Sequence, residues 1–351
     1  MELKLQCPYC KHIEKYNGLP GTKLVVSCPQ CGKQGRITFP GNLLKDGQIA
    51  IEVNQLTKQY AELVAVNGIS FKVRQGEIFA FLGPNGAGKT TTVEMIESIR
   101  IPTDGQIKIL GKDIAHSFNQ VKQQIGILPQ EFRSFERLTV RETLDYYSRL
   151  YEKRANIDSI LKAMDLTGHE KKLYGKLSGG LKQRVGVAVS LVNDPDIIFL
   201  DEPTTGLDPK ARREVWHVIA NLRDKGKTIF LTTHYMEEAE FLADHIAIIH
   251  QGNIIAEGTL EELINQYGKG NILRIKGCNR SEAVELLNEK GYMVISEGNG
   301  DLAVSIDHKD RVLEVLSQLR HECIDYDSID IRRSNLEEVF LTLTGASLTG
   351  A

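Results

Sequence analysis

With 351 residues the chain is long enough for about two domains, or three if one is small. A hydrophobic fraction of 41% and a charged fraction of 25% exclude long disorder, collagen and coiled-coil rods. Forty-three Lys and Arg against 46 Asp and Glu leave −3, too balanced for nucleic-acid binding by bulk charge. No apolar run approaches the roughly 18 to 20 residues of a membrane-spanning helix. The opening Met-Glu-Leu-Lys-Leu-Gln-Cys lacks the apolar core of a signal peptide. A cytoplasmic protein is expected, with any membrane role exercised through a partner.

Residues 1–42 are rich in Cys, Gly and Lys. Two C-x2-C knuckles, Cys7-Pro-Tyr-Cys10 and Cys28-Pro-Gln-Cys31, stand 17 residues apart, which fits a tetrathiolate zinc ribbon. Pro after the first Cys of each pair, and Gly32 after the last, give tight turns whose N–H groups can point at sulfur. A block of about 40 residues is too small to hold together without a metal or another staple. A redox Cys-x-x-Cys would need a thioredoxin-like βαβ surround, which is lacking. The expectation is structural Zn2+ on Cys7, Cys10, Cys28 and Cys31. Its purpose stays open between a protein-docking tab, a nucleic-acid contact and a zinc-responsive element. Cys278 and Cys323, alone and far apart, read as buried thiols. Segments 23–27 and 36–39 alternate as strands do, and 40–48 reads as a linker.

From 49 to about 267, β-type runs at 49–54, 68–73, 77–82, 106–110, 197–200, 228–232 and 245–250 alternate with helical segments. An α/β domain follows, with a largely parallel sheet and antiparallel opening strands. Its 77–82 strand leads into Gly83, Pro84, Asn85, Gly86, Ala87, Gly88, Lys89 and Thr90, a match to G-x-x-x-x-G-K-[ST], with Thr91 following in the next helix. Glycines let the backbone fold tightly, so that its N–H groups and the helix N-terminus face an anion. Lys89 reaches the β/γ-phosphates in such a loop, and the Thr90 hydroxyl ligates Mg2+. The apolar run 197–200 reads as a central parallel strand and ends in Asp201-Glu202. One carboxylate there, Asp201, can hold Mg2+ directly or through water; the adjacent Glu202 can orient water for in-line attack.

Residues 270–345 change rhythm. Strand-like segments at 272–276, 292–296 and 302–306 and an extended 324–332 interleave with helical 281–290, 309–320 and 335–343. The β-α-β-β-α-β order with an added helix suits a small ferredoxin-like α+β domain, and no catalytic constellation appears in it. The last helix carries Leu336, Val339, Phe340 and Leu343 on one stripe, as a docking helix does.

Leu177-Ser-Gly-Gly-Leu-Lys-Gln-Arg184, added to the P-loop and the acidic pair, completes a set. Over about residues 50–265 the chain resembles the ATP-binding subunits of ABC transporters, with seven motifs in the family's order. The resemblance implies that Ser178, Gly179 and Gly180, just ahead of a helix at 181–193, contact the γ-phosphate on a facing subunit, so that a homodimer sandwiches two ATP. It makes Gln130 a Q-loop residue able to bind Mg2+ and to touch a helical segment, 132–151, that meets the membrane partner. Asp208 then faces the other protomer's P-loop, His234 holds the γ-phosphate and the attacking water, and Tyr60 stacks on adenine. Within 132–151, Phe132, Phe135, Leu138, Tyr146 and Tyr147 divide between core and partner surface. The chain departs from the family at Leu181, where many members carry Gln.

Its tail, Asn335-Leu-Glu-Glu-Val-Phe-Leu-Thr-Leu-Thr-Gly345, is similar to that of drug-, antibiotic- and lipid-type exporters, which pair with a separate six-helix permease. The implied protein is an ATPase of an exporter, with a P-loop ABC cassette and helical subdomain at 50–267, a ribbon at 1–42 and an α+β domain at 270–345. It would sit at the inner face of the cell membrane, with no specific nucleic-acid partner. The alternative is a soluble ABC ATPase acting on ribosomes or nucleic acid through its ribbon. A single cassette, without a long coiled coil between Lys89 and Ser178, favours transport. A zinc-regulated module with degenerate ATPase is disfavoured, because Lys89, Asp201, Glu202 and His234 are all present.

Overall fold

The computed structural model describes residues 2–6, 10, 12–17, 23–38, 48–268, 270–278, 280–292, 294–296, 302–306, 310–322 and 324–345. Cys7, Cys323 and nearly all of the linker lie outside the described residues. Near the N-terminus, Glu2–Gln6 pairs antiparallel with Ile13–Asn17, and Lys23–Ser27 with Gln34–Thr38.

The cassette is built on a six-stranded sheet. Its order is Ile125–Leu128, Ile197–Asp201, Thr228–Thr233, Ile78–Leu82, His245–His250 and Asn253–Gly258. The first five strands are parallel and the last is antiparallel. Every residue of Ile78–Leu82, Ile197–Asp201 and Thr228–Thr233 is buried, because layers cover both faces of a parallel sheet. Side chains alternate across such strands. Phe79, Phe81, Phe199 and Phe230 therefore face one core together, where Phe71 joins them with ring centroids 5.3 to 5.9 Å away from three of the rings. Phe71 comes from an antiparallel sheet ordered Leu63–Arg74, Ile49–Tyr60, Asp104–Ile109 and Lys112–Asp113. On the other face, Ile78, Ile198, Leu200, Ile229 and Leu231 meet Val185, Val215 and Ile219 from helices Gly179–Val189 and Pro209–Asp224.

Helix bounds differ from the sequence expectation in two places. The segment 132–151 is helical only over Val140–Ser148, because Thr139 and Glu142 close a capping box that starts the helix there. The helix expected at 181–193 runs over Gly179–Val189; it starts two residues earlier because the Ser178 hydroxyl caps its N-terminus.

In the C-terminal block, Asn271–Lys276, Val294–Ser296, Leu302–Ile306 and Ser328–Arg333 form one antiparallel sheet. Its strand order is Val294–Ser296, Leu302–Ile306, Asn271–Lys276, Ser328–Arg333. Helices Arg280–Glu289 and Asp310–His321 contribute Leu287, Val315 and Leu319 to its core. The last helix, Leu336–Thr344, packs on the cassette instead. Its Leu336, Val339 and Phe340 are buried with Leu82, Ile246 and Ile248, and Leu336 N donates to Glu240 Oε1 at 2.7 Å.

Candidate active site

The strand Ile78–Leu82 and the helix Lys89–Ile96 hold the glycine-rich loop between them. Two of its glycines are obligatory. A Cβ on Gly83 would stand 2.3 Å from the Ile249 carbonyl oxygen, and Gly88 caps the helix at φ +106°, with a Cβ position 2.5 Å from the Ala65 oxygen. Lys89 Nζ donates back to the Gly83 and Pro84 carbonyls at 3.0 and 3.1 Å. It also pairs with Glu202 Oε1 at 3.2 Å.

Asp201 ends its strand, and Glu202 follows with φ +48°, a left-handed conformation that a non-glycine residue adopts at a cost. A single hydroxyl fixes the pair: Thr232 Oγ1 donates to Asp201 Oδ1 and accepts from Glu202 N at 3.0 Å. Burial pushes the Asp201 carboxyl up, the Thr232 hydrogen bond opposes this, and the Glu202 charge adds to the rise. Burial acts on Glu202 in the same sense, but Lys89 and His234 outweigh it and hold that carboxyl below its ordinary value. Glu202 Oε2 accepts from Gln130 Nε2 and from Thr205 Oγ1, both at 3.1 Å. His234 Nδ1 lies 3.2 Å from the same oxygen, off the line of a hydrogen bond.

Lys89, Asp201, Glu202, Gln130 and His234 thus form one cluster, with Thr90 beside Asp201. Thr90, Asp201 and Gln130 offer hydroxyl, carboxylate and amide oxygens, the hard donor set that Mg2+ takes. Burial disfavours the ionised Asp201, a penalty that a bound cation relieves.

Other expected residues lie apart from the cluster. Ser178 Oγ accepts from Leu181 N at 3.4 Å, Asp208 Oδ1 accepts from Lys210 N and Ala211 N at 3.0 Å, and neither hydrogen-bonds the cluster. Ser178, Gly179 and Asp208 are exposed, while Gly180 is buried, with a Cβ position 2.9 Å from the Ala211 side chain. Leu181 is partly buried and packs against the apolar core. Tyr60 ends the strand Ile49–Tyr60 partly exposed, with Lys58 Nζ and the Arg100 guanidinium 5.2 and 5.7 Å from its ring centroid. In the N-terminal block the sulfurs of Cys10, Cys28 and Cys31 lie within 4.8 Å of one another, none in a disulfide. Cys10 Sγ and Cys28 Sγ stand 3.6 Å apart.

Sequence reasoning missed Thr232, Thr205, Glu97 and Glu238. A hydroxyl on an all-buried strand must find a partner, and that signal points to Thr232. Glu238 lies four residues before Leu242 on one helix, so a carboxylate falls on the core-facing stripe. Glu97 caps the end of the helix Lys89–Ile96, where burial, reinforced by Asp201 and Glu94, pushes its carboxyl up to about 8.

A glycine-rich loop at a helix N-terminus, a buried lysine and two buried carboxylates at the carboxyl edge of a parallel sheet define a P-loop nucleoside triphosphatase. The ABC transporter family pattern matches residues 66–205. The chain is 38% identical to the daunorubicin resistance ATP-binding protein of Streptomyces coeruleorubidus, over 84% of this chain and 96% of that protein. It is 34% identical to the Nod factor export ATP-binding protein I of Rhizobium sp. (strain N33), over 86% and 99%. Among solved structures it resembles the dimeric structure of a bacterial ABC transporter cassette, with TM-score 0.54 and 26% identity over 60% of this chain and 98% of that one. The chain belongs to the ABC transporter family as an ATP-binding cassette, and its reaction is ATP hydrolysis. No helix among the described residues is long and apolar enough to cross a membrane.

Proposed function

We propose that this chain is the ATP-hydrolysing subunit of a membrane exporter and acts through a separate permease. One observation carries the reading: an intact Lys89–Glu202–His234 cluster in a chain that spans 99% of an export ATP-binding protein. Loop N–H groups and the helix N-terminus hold the phosphates, and Lys89 leaves Glu202 for the β/γ oxygens. Freed of that pair, Glu202 orients a water and accepts its proton, while His234 steadies the γ-phosphate. Mg2+ on Thr90, Asp201 and Gln130 would supply charge neutralisation at the phosphate oxygens. Ser178, Gly179 and Gly180 of a second copy complete the site, with Asp208 facing the other P-loop. Their separation from the cluster in a single chain supports this sharing. Tyr60 stacks on adenine, in exchange for its cation contacts.

The permease meets the segment 132–151 at Phe135 and Tyr146. These are 52% and 45% exposed and meet edge to face at 5.1 Å, whereas Phe132 and Tyr147 pack against the core. The N-terminal block is a zinc ribbon on Cys10, Cys28, Cys31 and Cys7, the last three residues before Cys10. The antiparallel order of the C-terminal sheet supports a ferredoxin-like unit. Localisation at the inner face of the cell membrane follows from the partner.

The test is affinity capture of the chain from detergent-solubilised membranes. Recovery of an integral membrane protein that changes the ATPase rate is the expected result. Recovery of only ribosomal or nucleic-acid partners would overturn it.

A further inference from the structure

Glu238, on the helix Met236–Leu242, is 0% exposed. A carboxylate in such a place must be hydrogen-bonded or it destabilises the fold. Its Oε1 accepts from Thr204 Oγ1 at 2.7 Å and from Trp216 Nε1 at 2.8 Å. Oε2 has no aligned hydrogen-bond partner. Burial pushes this carboxyl up, opposed by Thr233, Thr204, Trp216 and the charge of Arg212. Arg212 is itself held with its guanidinium 3.9 Å from the Tyr235 ring centroid.

These neighbours come from three separate pieces of the site. Thr204 lies two residues beyond Glu202, in the turn that leads to Asp208. Trp216 stands on the helix Pro209–Asp224, which Asp208 caps. Thr233 immediately precedes His234, and its hydroxyl accepts from Tyr235 N at 2.9 Å. One side chain therefore touches the turn of the attacking-water residue, the helix behind the residue that faces the second copy, and the strand end that presents the histidine.

We propose that Glu238 is a positioning residue that holds the Glu202 turn, the His234 segment and the Asp208-capped helix as one body. The proposal rests on the hydrolytic roles given above to Glu202 and His234. Under it, closure of a second copy on Asp208 moves Trp216, and through Glu238 also moves Thr204 and the Glu202 turn. Hydrolysis is then coupled to dimer closure through a buried contact that never touches nucleotide. A merely structural role for the same hydrogen bonds would lower kcat and raise KM together.

The experiment compares wild-type protein with Glu238→Gln, Glu238→Leu, Thr204→Val and Trp216→Phe. For each, kcat, KM for ATP and melting temperature are measured. Glu238→Gln keeps an acceptor oxygen for both donors and should hold kcat within about threefold of wild type. Glu238→Leu keeps the volume without the acceptor and should lower kcat about tenfold or more, with KM changed less than about twofold. Thr204→Val and Trp216→Phe each remove one arm and should lower kcat by about threefold to tenfold, with KM changed less than about twofold and the melting temperature lowered by the lost buried hydrogen bond. If Glu238→Leu fails to fold, those two variants decide. Unchanged kcat in every folded variant would overturn the proposal, as would a fall in kcat matched by an equal rise in KM. A wild-type chain without ATPase activity would instead overturn the hydrolytic reading beneath it, and the proposal with it.

Discussion

Lys89 Nζ and Glu202 Oε1 form an ion pair at 3.2 Å, with side chains only 4% and 5% exposed. Under the proposed function, the lysine assigned to phosphate is thus paired with the carboxylate assigned to water. Two buried charges stabilise each other here, and removing one strands the other.

Lys89→Ala should therefore have two effects. Without nucleotide it should destabilise the cassette by about 3 kcal/mol, because Glu202 is left buried without its lysine. ATP affinity should fall by about a hundredfold, through loss of a charge-assisted contact to phosphate. The double variant Lys89→Ala/Glu202→Gln should recover most of the stability and none of the affinity. Urea unfolding and nucleotide titration measure both. A double variant as unstable as the single one would show that the pair is not what holds Glu202 in place.

Glu97 predicts a pH dependence. Its folded value is raised to about 8 from an ordinary 4.5, so between those values the folded state keeps a proton that the unfolded chain releases. Stability contributed by this group is then greatest below the ordinary value and falls as pH rises toward the folded one. From about pH 5 to about pH 8 the loss should be about 3 kcal/mol, and Glu97→Gln should abolish it. Fluorescence of the single Trp, Trp216, during urea unfolding reads the effect. Equal pH slopes in the two proteins would count against it.

The cysteine cluster predicts metal. Purified protein should hold about one zinc per chain by elemental analysis, and Cys28→Ser should lose it. Stripping the metal should leave ATP binding intact, because the P-loop cluster draws no residue from the first 47. Metal-free protein with freely titratable thiols in the native state would remove the assignment.

Phe135 and Tyr146 predict a surface. Replacing either by Ala should leave basal ATPase activity and melting temperature unchanged, since both are exposed, and should weaken capture of the permease about tenfold. Capture at wild-type strength by the double variant would place the partner elsewhere.

Long apolar strands were legible in the sequence and short or polar ones were not. The runs at 77–82, 197–200 and 228–232 announce buried parallel strands, and the strands observed there, Ile78–Leu82, Ile197–Asp201 and Thr228–Thr233, are fully buried at the sheet centre. Ile125–Leu128 escaped because four residues interrupted by Gly126 carry no period, yet it extends the sheet beside Ile197–Asp201. Asn253–Gly258 escaped as a half-exposed edge strand. The strand Ile49–Tyr60 runs six residues past its expected end, because a register shift at Gln55 (φ +48°) lets polar residues continue the pairing. At the site, motifs identified the loop, the lysine and the carboxylates. The contacts between them depend on tertiary approach: Thr232 bridging Asp201 and Glu202, and Lys89 turned toward Glu202. Spacing along the chain carries no trace of that approach.

Under the proposed function, Glu202 acts on water in a site shared by two copies. The most direct measurement is phosphate release together with molecular mass by gel filtration, for wild type and Glu202→Gln in saturating ATP and Mg2+. The expected result is turnover in wild type, a loss of about a hundredfold or more in Glu202→Gln, and a stable ATP-bound dimer of that variant alone. Near-normal turnover in Glu202→Gln, or a variant that stays monomeric with ATP bound, would contradict it.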